Sequence, residues 1–193
     1  MRLIDISQEV FNCNVFPGDP QPVGKRVMKI SDGDICNLTE IAMCAHNGTH
    51  VDAPFHFIDD GKKIDEMGLE PYVGECYVAQ HDGDVTSEDA SLILKKSEGS
   101  KRILIKGKAT VTLDAAKVFA DSDIVLIGNE SQTVGPEDAP KDVHLVLLGK
   151  GITLLEGIVL EKVDEGKYFL SAVPLNLGGS DGAPCRAYLI ADL

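Results

Sequence analysis

His46-Asn47-Gly48-Thr49-His50-Val51-Asp52-Ala53-Pro54-Phe55-His56-Phe57 places three of the chain's five histidines within eleven residues. The run offers three imidazoles and a carboxylate, interrupted by a glycine and a proline that can fold them onto one point. Imidazole and carboxylate together suit Zn²⁺, Mn²⁺ or Fe²⁺. His46 and His50 share a face if the segment is helical. Gly48 weakens that helix, so a loop wrapped around a cation serves equally well. Asp52 adds an anionic donor whose two oxygens can bridge two ions. Burying such groups without a partner costs several kcal/mol, roughly, so a cation is the reading that accounts for the cluster.

The rest of the chain frames this segment. Its 193 residues suffice for one sizeable core and would be cramped as two, so a single domain over 1–193 is expected. No stretch approaches the roughly 20 apolar residues of a membrane span. Asp5 falls where an export signal needs its apolar run, which favours a cytoplasmic protein. Cys13, Cys36, Cys44, Cys76 and Cys185 are odd in number and widely spaced, and each has apolar neighbours. They read as buried, reduced thiols, and Cys44 as a core residue at the end of an apolar strand. A net charge of −13 repels phosphate backbones and anionic membranes, so neither nucleic acid nor membrane is an expected partner.

Turn clusters such as Pro17-Gly18-Asp19-Pro20 and Gly178-Gly179-Ser180-Asp181-Gly182 punctuate the chain. Between them, strands are predicted over 3–6, 26–30, 38–43, 76–80, 102–106, 124–127, 168–173 and 187–191. Helices are expected to start at a capping Ser87, at Thr112 and at a capping Asp142. Strands and helices mixed at this spacing indicate an α/β or α+β domain. No Gly-x-Ser-x-Gly elbow and no His-Glu-x-x-His pair occurs, which removes two common hydrolase signatures. His81, in Gln-His-Asp-Gly-Asp, reads as a turn residue. His144 follows Asp142-Val143 on an apolar segment and by itself reads as a core histidine more often than a ligand. Glu156 lies in a near-continuous apolar run, where an unpaired carboxylate is expensive and a cation partner explains it.

The His46–Phe57 motif resembles the signature of the cyclase family, which includes bacterial kynurenine formamidases and isatin hydrolases. Asp5-Ile6-Ser7 and Val15-Phe16-Pro17-Gly18-Asp19 are similar to that family's N-terminal segment. Asp142-Val143-His144, followed by Gly151 to Glu156, is similar to its second metal segment. Asp181-Gly182-Ala183-Pro184-Cys185-Arg186 is similar to its C-terminal signature.

The resemblance implies a swivelling β/β/α fold and a homodimer or larger oligomer. It also implies one or two divalent ions, Zn or Mn. His46, His50 and Asp52 would hold one ion, and Asp52, Glu156 and His144 would contact a second. His56 would transfer protons. Phe16 stands where kynurenine formamidases usually place a tryptophan against the aromatic substrate. Gly128-Asn129-Glu130-Ser131 stands where they more often read Asp-Thr-Pro-Ser, so a carboxylate has changed position.

The activity expected is hydrolysis of an amide or ester bond in a small aryl-linked or cyclic substrate. Thr49 is a candidate for orienting a ligand or the attacking water. A metal-dependent lyase or dehydratase acting on a hydroxy acid, and a non-catalytic metal- or ligand-binding module, remain alternatives on the residues alone.

Overall fold

A computed structural model describes residues 1–192. Its strands are β1 (Arg2–Asp5), β2 (Val23–Met28), β3 (Leu38–Ala42), β4 (His50–Asp52), β5 (Val73–Gln80), β6 (Gly83–Val85), β7 (Arg102–Lys106), β8 (Ala109–Val111), β9 (Leu126–Asn129), β10 (Thr153–Glu156), β11 (Gly166–Ser171), β12 (Gly182–Pro184) and β13 (Tyr188–Ala191). The α-helices are α1 (Ser87–Lys96), α2 (Leu113–Ala120) and α3 (Lys141–Gly149). Nine strands form one sheet in the order β1-β13-β11-β5-β7-β9-β10-β4-β12. Its centre, β5-β7-β9-β10, is parallel, and both flanks are antiparallel. This is the mixed α/β architecture and swivelling β/β/α arrangement that the resemblance implies.

The period-two alternation of strand side chains divides the apolar residues between two cores. Ile103, Ile105, Ile127 and Leu154 face the layer that holds α1, α2 and α3, where Phe119 and Leu147 cover them. Leu104, Leu126 and Leu155 face the opposite side, with Ile6, Val51, Leu170 and Leu189. The β2–β3 ribbon stands apart from this sheet and leaves Val23, Leu38 and Ile41 exposed. No helix among the described residues is long and apolar enough to cross a membrane.

Every expected strand has a counterpart, displaced by a few residues at most. Two expected helix caps differ. The first helix is capped by Thr86 rather than Ser87, because Thr86 Oγ1 accepts from the Asp89 amide at 3.2 Å and Asp89 Oδ2 accepts from the Thr86 amide at 3.0 Å. The third begins after Pro140, so Asp142 lies inside the first turn and favours the helix through its dipole rather than as a cap.

Candidate metal centre

Strand pairing assembles the site. β4 lies antiparallel to β10, with Glu156 directly opposite His50 and Leu154 opposite Asp52. Directly opposed residues project from the same face, so His50, Asp52 and Glu156 emerge together on the helix-covered side. α3 supplies His144 to the same point. All four are buried, at 1%, 0%, 2% and 2% exposure. The segment before His50 is a turn rather than a helix, with Gly48 at φ 65°, and the strand begins at His50 itself.

Two imidazoles are fixed from behind. His50 Nδ1 donates to the Gly48 carbonyl at 2.9 Å and His144 Nδ1 to the Pro140 carbonyl at 2.8 Å. A carbonyl only accepts, so each ring in its neutral form turns a bare Nε2 to the centre. His50 Nε2 lies 3.5 Å from Asp52 Oδ1 and 3.4 Å from Glu156 Oε2. His144 Nε2 lies 3.6 Å from Asp52 Oδ2 and 3.3 Å from Glu156 Oε1. These separations are long for charge-assisted hydrogen bonds. They match the spacing of donors on a tetrahedral ion, where ligands about 2.0–2.2 Å from the metal stand roughly 3.3–3.6 Å from one another. Asp52 Oδ2 is buried without a hydrogen-bond partner, and Glu156 Oε1 is anchored by the Val134 amide at 2.7 Å. An N/O donor set with one orphaned carboxylate oxygen fits a divalent cation.

His46 and His56 form a second group on the other side of Asp52. His46 Nδ1 lies 2.9 Å from Asp52 Oδ1, and the His46 and His56 rings stack at 4.0 Å between centroids. Asp181 Oδ2 accepts from both, at 2.9 Å from His46 Nε2 and 3.2 Å from His56 Nδ1. Gly182 is required beside this stack, since a Cβ there would come within 2.7 Å of His46 Cε1. The sequence reading placed Asp181 in the segment similar to the family's C-terminal signature and in a Gly-Gly-Ser-Asp-Gly turn, and gave it no role at the site.

The electrostatics follow from this packing. Burial disfavours a charged His46, but the carboxylates of Asp181 and Asp52 prevail and raise it to about 11. Burial likewise opposes charge on His144, which Glu156 and Asp52 nevertheless raise. Burial would push the Asp52 carboxyl up, yet His46 holds it well below the usual range. Burial and Asp52 push Glu156 up, and the His144 and His50 imidazoles reverse this to a net lowering. Hydrogen bonds from His46 and His56 hold Asp181 far down.

These groups open onto a cavity of about 350 Å³ lined also by Phe16, Phe57, Thr133 and Pro140. Phe57 packs edge-on to His56 at 4.5 Å and against His144 at 4.4 Å. Three expectations need correction. Cys44 lines this cavity, half-buried, instead of filling the core; the chain leaves β3 at Ala42 and turns inward there. All five cysteines are free, as expected, but only Cys76 is fully buried. Thr49 faces away from the centre, donating to the Gly157 carbonyl at 2.7 Å and accepting from the Gln8 amide at 2.9 Å, so it pins the loop to the N-terminal segment. The carboxylate of Glu130 points elsewhere too, accepting from the Gly107 and Leu160 amides at 2.7 Å each. His81 lies half-buried in the short link between β5 and β6, with Nε2 on the Asp84 carbonyl, apart from the site.

Residues 4–136 match the family model described as Putative cyclase. A kynurenine formamidase of Bacillus mycoides (strain KBAB4) is 36% identical over 208 residues, spanning 96% of each protein. A solved structure described as a predicted metal-dependent hydrolase from Bacillus stearothermophilus superposes with a TM-score of 0.81 at 26% identity, covering 97% of both chains. Isatin hydrolase A from Labrenzia aggregata, bound to benzyl benzoate, shares the fold at a TM-score of 0.85 and 20% identity, over 99% of this chain and 94% of that one. In sequence and in the arrangement of its sheet and helices, the chain belongs to the cyclase family.

Proposed function

We propose that the protein is a metal-dependent amide hydrolase, of the arylformamidase kind, acting on a small aryl-linked or cyclic substrate. The observation that carries this reading is the convergence of two bare imidazole nitrogens and two buried carboxylates at 3.3–3.6 Å, with Asp52 Oδ2 unpartnered. The kynurenine formamidases among its relatives supply the substrate class. His50, Asp52, Glu156 and His144 are the nearest donors for one Zn²⁺ or Mn²⁺ ion. His46 with Asp52 offers a second position on the other side of the shared carboxylate. A divalent cation held there would lower the pKa of water to about 7 and polarise the scissile carbonyl.

The remaining chemistry belongs to side chains. His56, half-buried at the cavity wall, takes a proton from the attacking water through its pocket-facing nitrogen and returns it to the leaving nitrogen. Water adds to the carbonyl carbon, the C–N bond breaks, and a carboxylate and an amine leave. Phe16, Phe57 and Pro140 supply the flat apolar walls an aryl group needs. The cavity volume suits a single-ring substrate.

Residues 1–193 act as one hydrolase unit in this reading. The exposed apolar side chains of the β2–β3 ribbon support a homodimer or larger oligomer. Five free thiols support a reducing, cytoplasmic setting. The test is a hydrolysis panel of formanilide, isatin and lactones before and after chelation. Metal-dependent cleavage of an amide is the expected result, and stoichiometric metal with no turnover on any of them contradicts it.

A further inference from the structure

Asp181 lies half-open at the rim of this site, with its side chain 41% exposed, while both rings it holds are more deeply buried. A single oxygen, Oδ2, receives both histidines. A carboxylate in this position only accepts, so each ring must carry its hydrogen on the nitrogen that faces it. For His46 that nitrogen is Nε2; the opposite one, Nδ1, lies 2.9 Å from Asp52 Oδ1, a second acceptor, so it too carries a hydrogen until a cation displaces it. For His56 it is Nδ1, which leaves Nε2 without a hydrogen-bond partner among the described residues.

The backbone fixes Asp181 rather than the reverse. Its carbonyl accepts from the Ala53 amide at 2.9 Å, and the preceding Ser180 carbonyl accepts from the Ile64 amide at 2.9 Å. The turn is therefore tied to both ends of the segment that carries His56. Stacking of the two rings at an interplanar angle of 27° stops either from rotating independently.

We propose that Asp181 is a positioning residue that orients two histidines with one oxygen: it holds His46 by Nε2–H, so that Nδ1 is the nitrogen turned toward the cation, and it keeps Nε2 of His56 bare for proton transfer. This rests on the hydrolase reading for its catalytic consequence, but not for its structural one. Metal-ligating histidines characteristically give their second N–H to a carboxylate, and loss of such a partner weakens metal binding about 10–100-fold. Here the same carboxylate extends that control to a residue that does not hold the metal. Metal affinity and proton transfer are coupled through a side chain that performs neither.

The test compares zinc-loaded wild-type protein with Asp181→Asn by ¹⁵N histidine spectroscopy, zinc titration and steady-state kinetics on formanilide. In the wild type, His56 is expected as the Nδ1–H tautomer and His46 as the Nε2–H tautomer. Zinc on Nδ1 holds the His46 assignment in either protein, whereas the asparagine amide can donate as well as accept, so the His56 assignment should become mixed or reverse. Zinc affinity should fall about 10–100-fold. At saturating zinc, kcat should fall by about 100-fold or more with KM little changed, and Asp181→Glu should recover part of the loss. A purely structural role would leave the tautomers as they are.

An unchanged His56 tautomer in Asp181→Asn overturns the proposal. So does wild-type His56 carrying its hydrogen on Nε2, a result that needs no variant to fold. The spectra and titration require no turnover. Altered tautomers in a protein that cleaves no amide therefore support the positioning role and sink only the proposed activity. Unaltered tautomers beside intact amide hydrolysis do the opposite.

Discussion

Glu156→Gln keeps the shape of a side chain that is 2% exposed and removes one charge. Two accounts of the cluster predict different outcomes. If the histidines and carboxylates merely pair with each other, removing one partner leaves a buried charge uncompensated and destabilises the protein by about 3–5 kcal/mol whether or not zinc is present. If they hold a cation, the substitution removes a donor that stands 3.4 Å from His50 Nε2 and 3.3 Å from His144 Nε2. Removing a supporting partner alone weakens metal binding about 10–100-fold, so loss of a direct donor should cost at least about 100-fold. At a free metal concentration of about 1,000 times Kd, binding stabilises the wild type by about 4.1 kcal/mol. The same concentration is only about 10 times the variant's Kd, and stabilisation there is about 1.4 kcal/mol. The difference of about 2.7 kcal/mol corresponds to roughly 5–11 °C in Tm for a chain of this size. Thermal unfolding with chelator and with zinc, on both proteins, measures it. An equal zinc-induced shift in the variant, or none in the wild type, refutes the reasoning.

Other perturbations separate the roles of neighbouring residues. His56→Ala should retain its metal by elemental analysis while kcat falls about 10²–10⁴-fold, or about 2.7–5.4 kcal/mol of barrier; undiminished kcat would remove the proton-transfer role. Phe16→Ala removes an aromatic wall from the cavity and should raise KM for formanilide about 5–30-fold, the equivalent of about 1–2 kcal/mol of apolar contact, with kcat less affected. Chelated protein should lose stability toward alkaline pH. His46 is raised to about 11 in the fold against about 6.5 unfolded, so the folded state holds an extra proton between those values. That contribution is complete below about pH 6.5 and is lost as pH rises toward 11, at up to about 1.4 kcal/mol per pH unit. Asp52 and Asp181 are lowered, so theirs is present above about pH 4 and lost in acid. Urea midpoints at pH 6 and pH 9 check this, and equal midpoints would contradict it.

Much of the site was legible because its donors are local. His46, His50, Asp52 and His56 reach the same region through one turn and a three-residue strand, so proximity in sequence became proximity in space. Glu156 was legible through cost, as a carboxylate in an apolar run. His144 was not separable from a core histidine, since Val143, Leu147 and Leu148 beside it are buried core residues. What distinguishes it is the Pro140 carbonyl behind its ring, which turns Nε2 toward Asp52 and Glu156 and is set by where α3 begins. Asp181 was noted within a family-like segment but given no role, because aspartate in a glycine-rich turn is ordinary turn chemistry and its partners lie 135 and 125 residues away in sequence. The pairing of β4 with β10 was equally hidden. Three residues are too few for an alternation to show, and the register that sets Glu156 opposite His50 is a property of the whole sheet. The helix caps failed more narrowly, by one residue at Thr86, where two adjacent hydroxyl residues compete and the Asp89 side chain decides.

Anomalous diffraction from crystals of protein purified without added metal tests the central claim most directly. The account predicts a divalent ion about 2.0–2.2 Å from Nε2 of His50 and of His144, with Asp52 and Glu156 completing its ligands. An anomalous signal confined to other parts of the molecule, or none in crystals of protein that still hydrolyses formanilide, would contradict it.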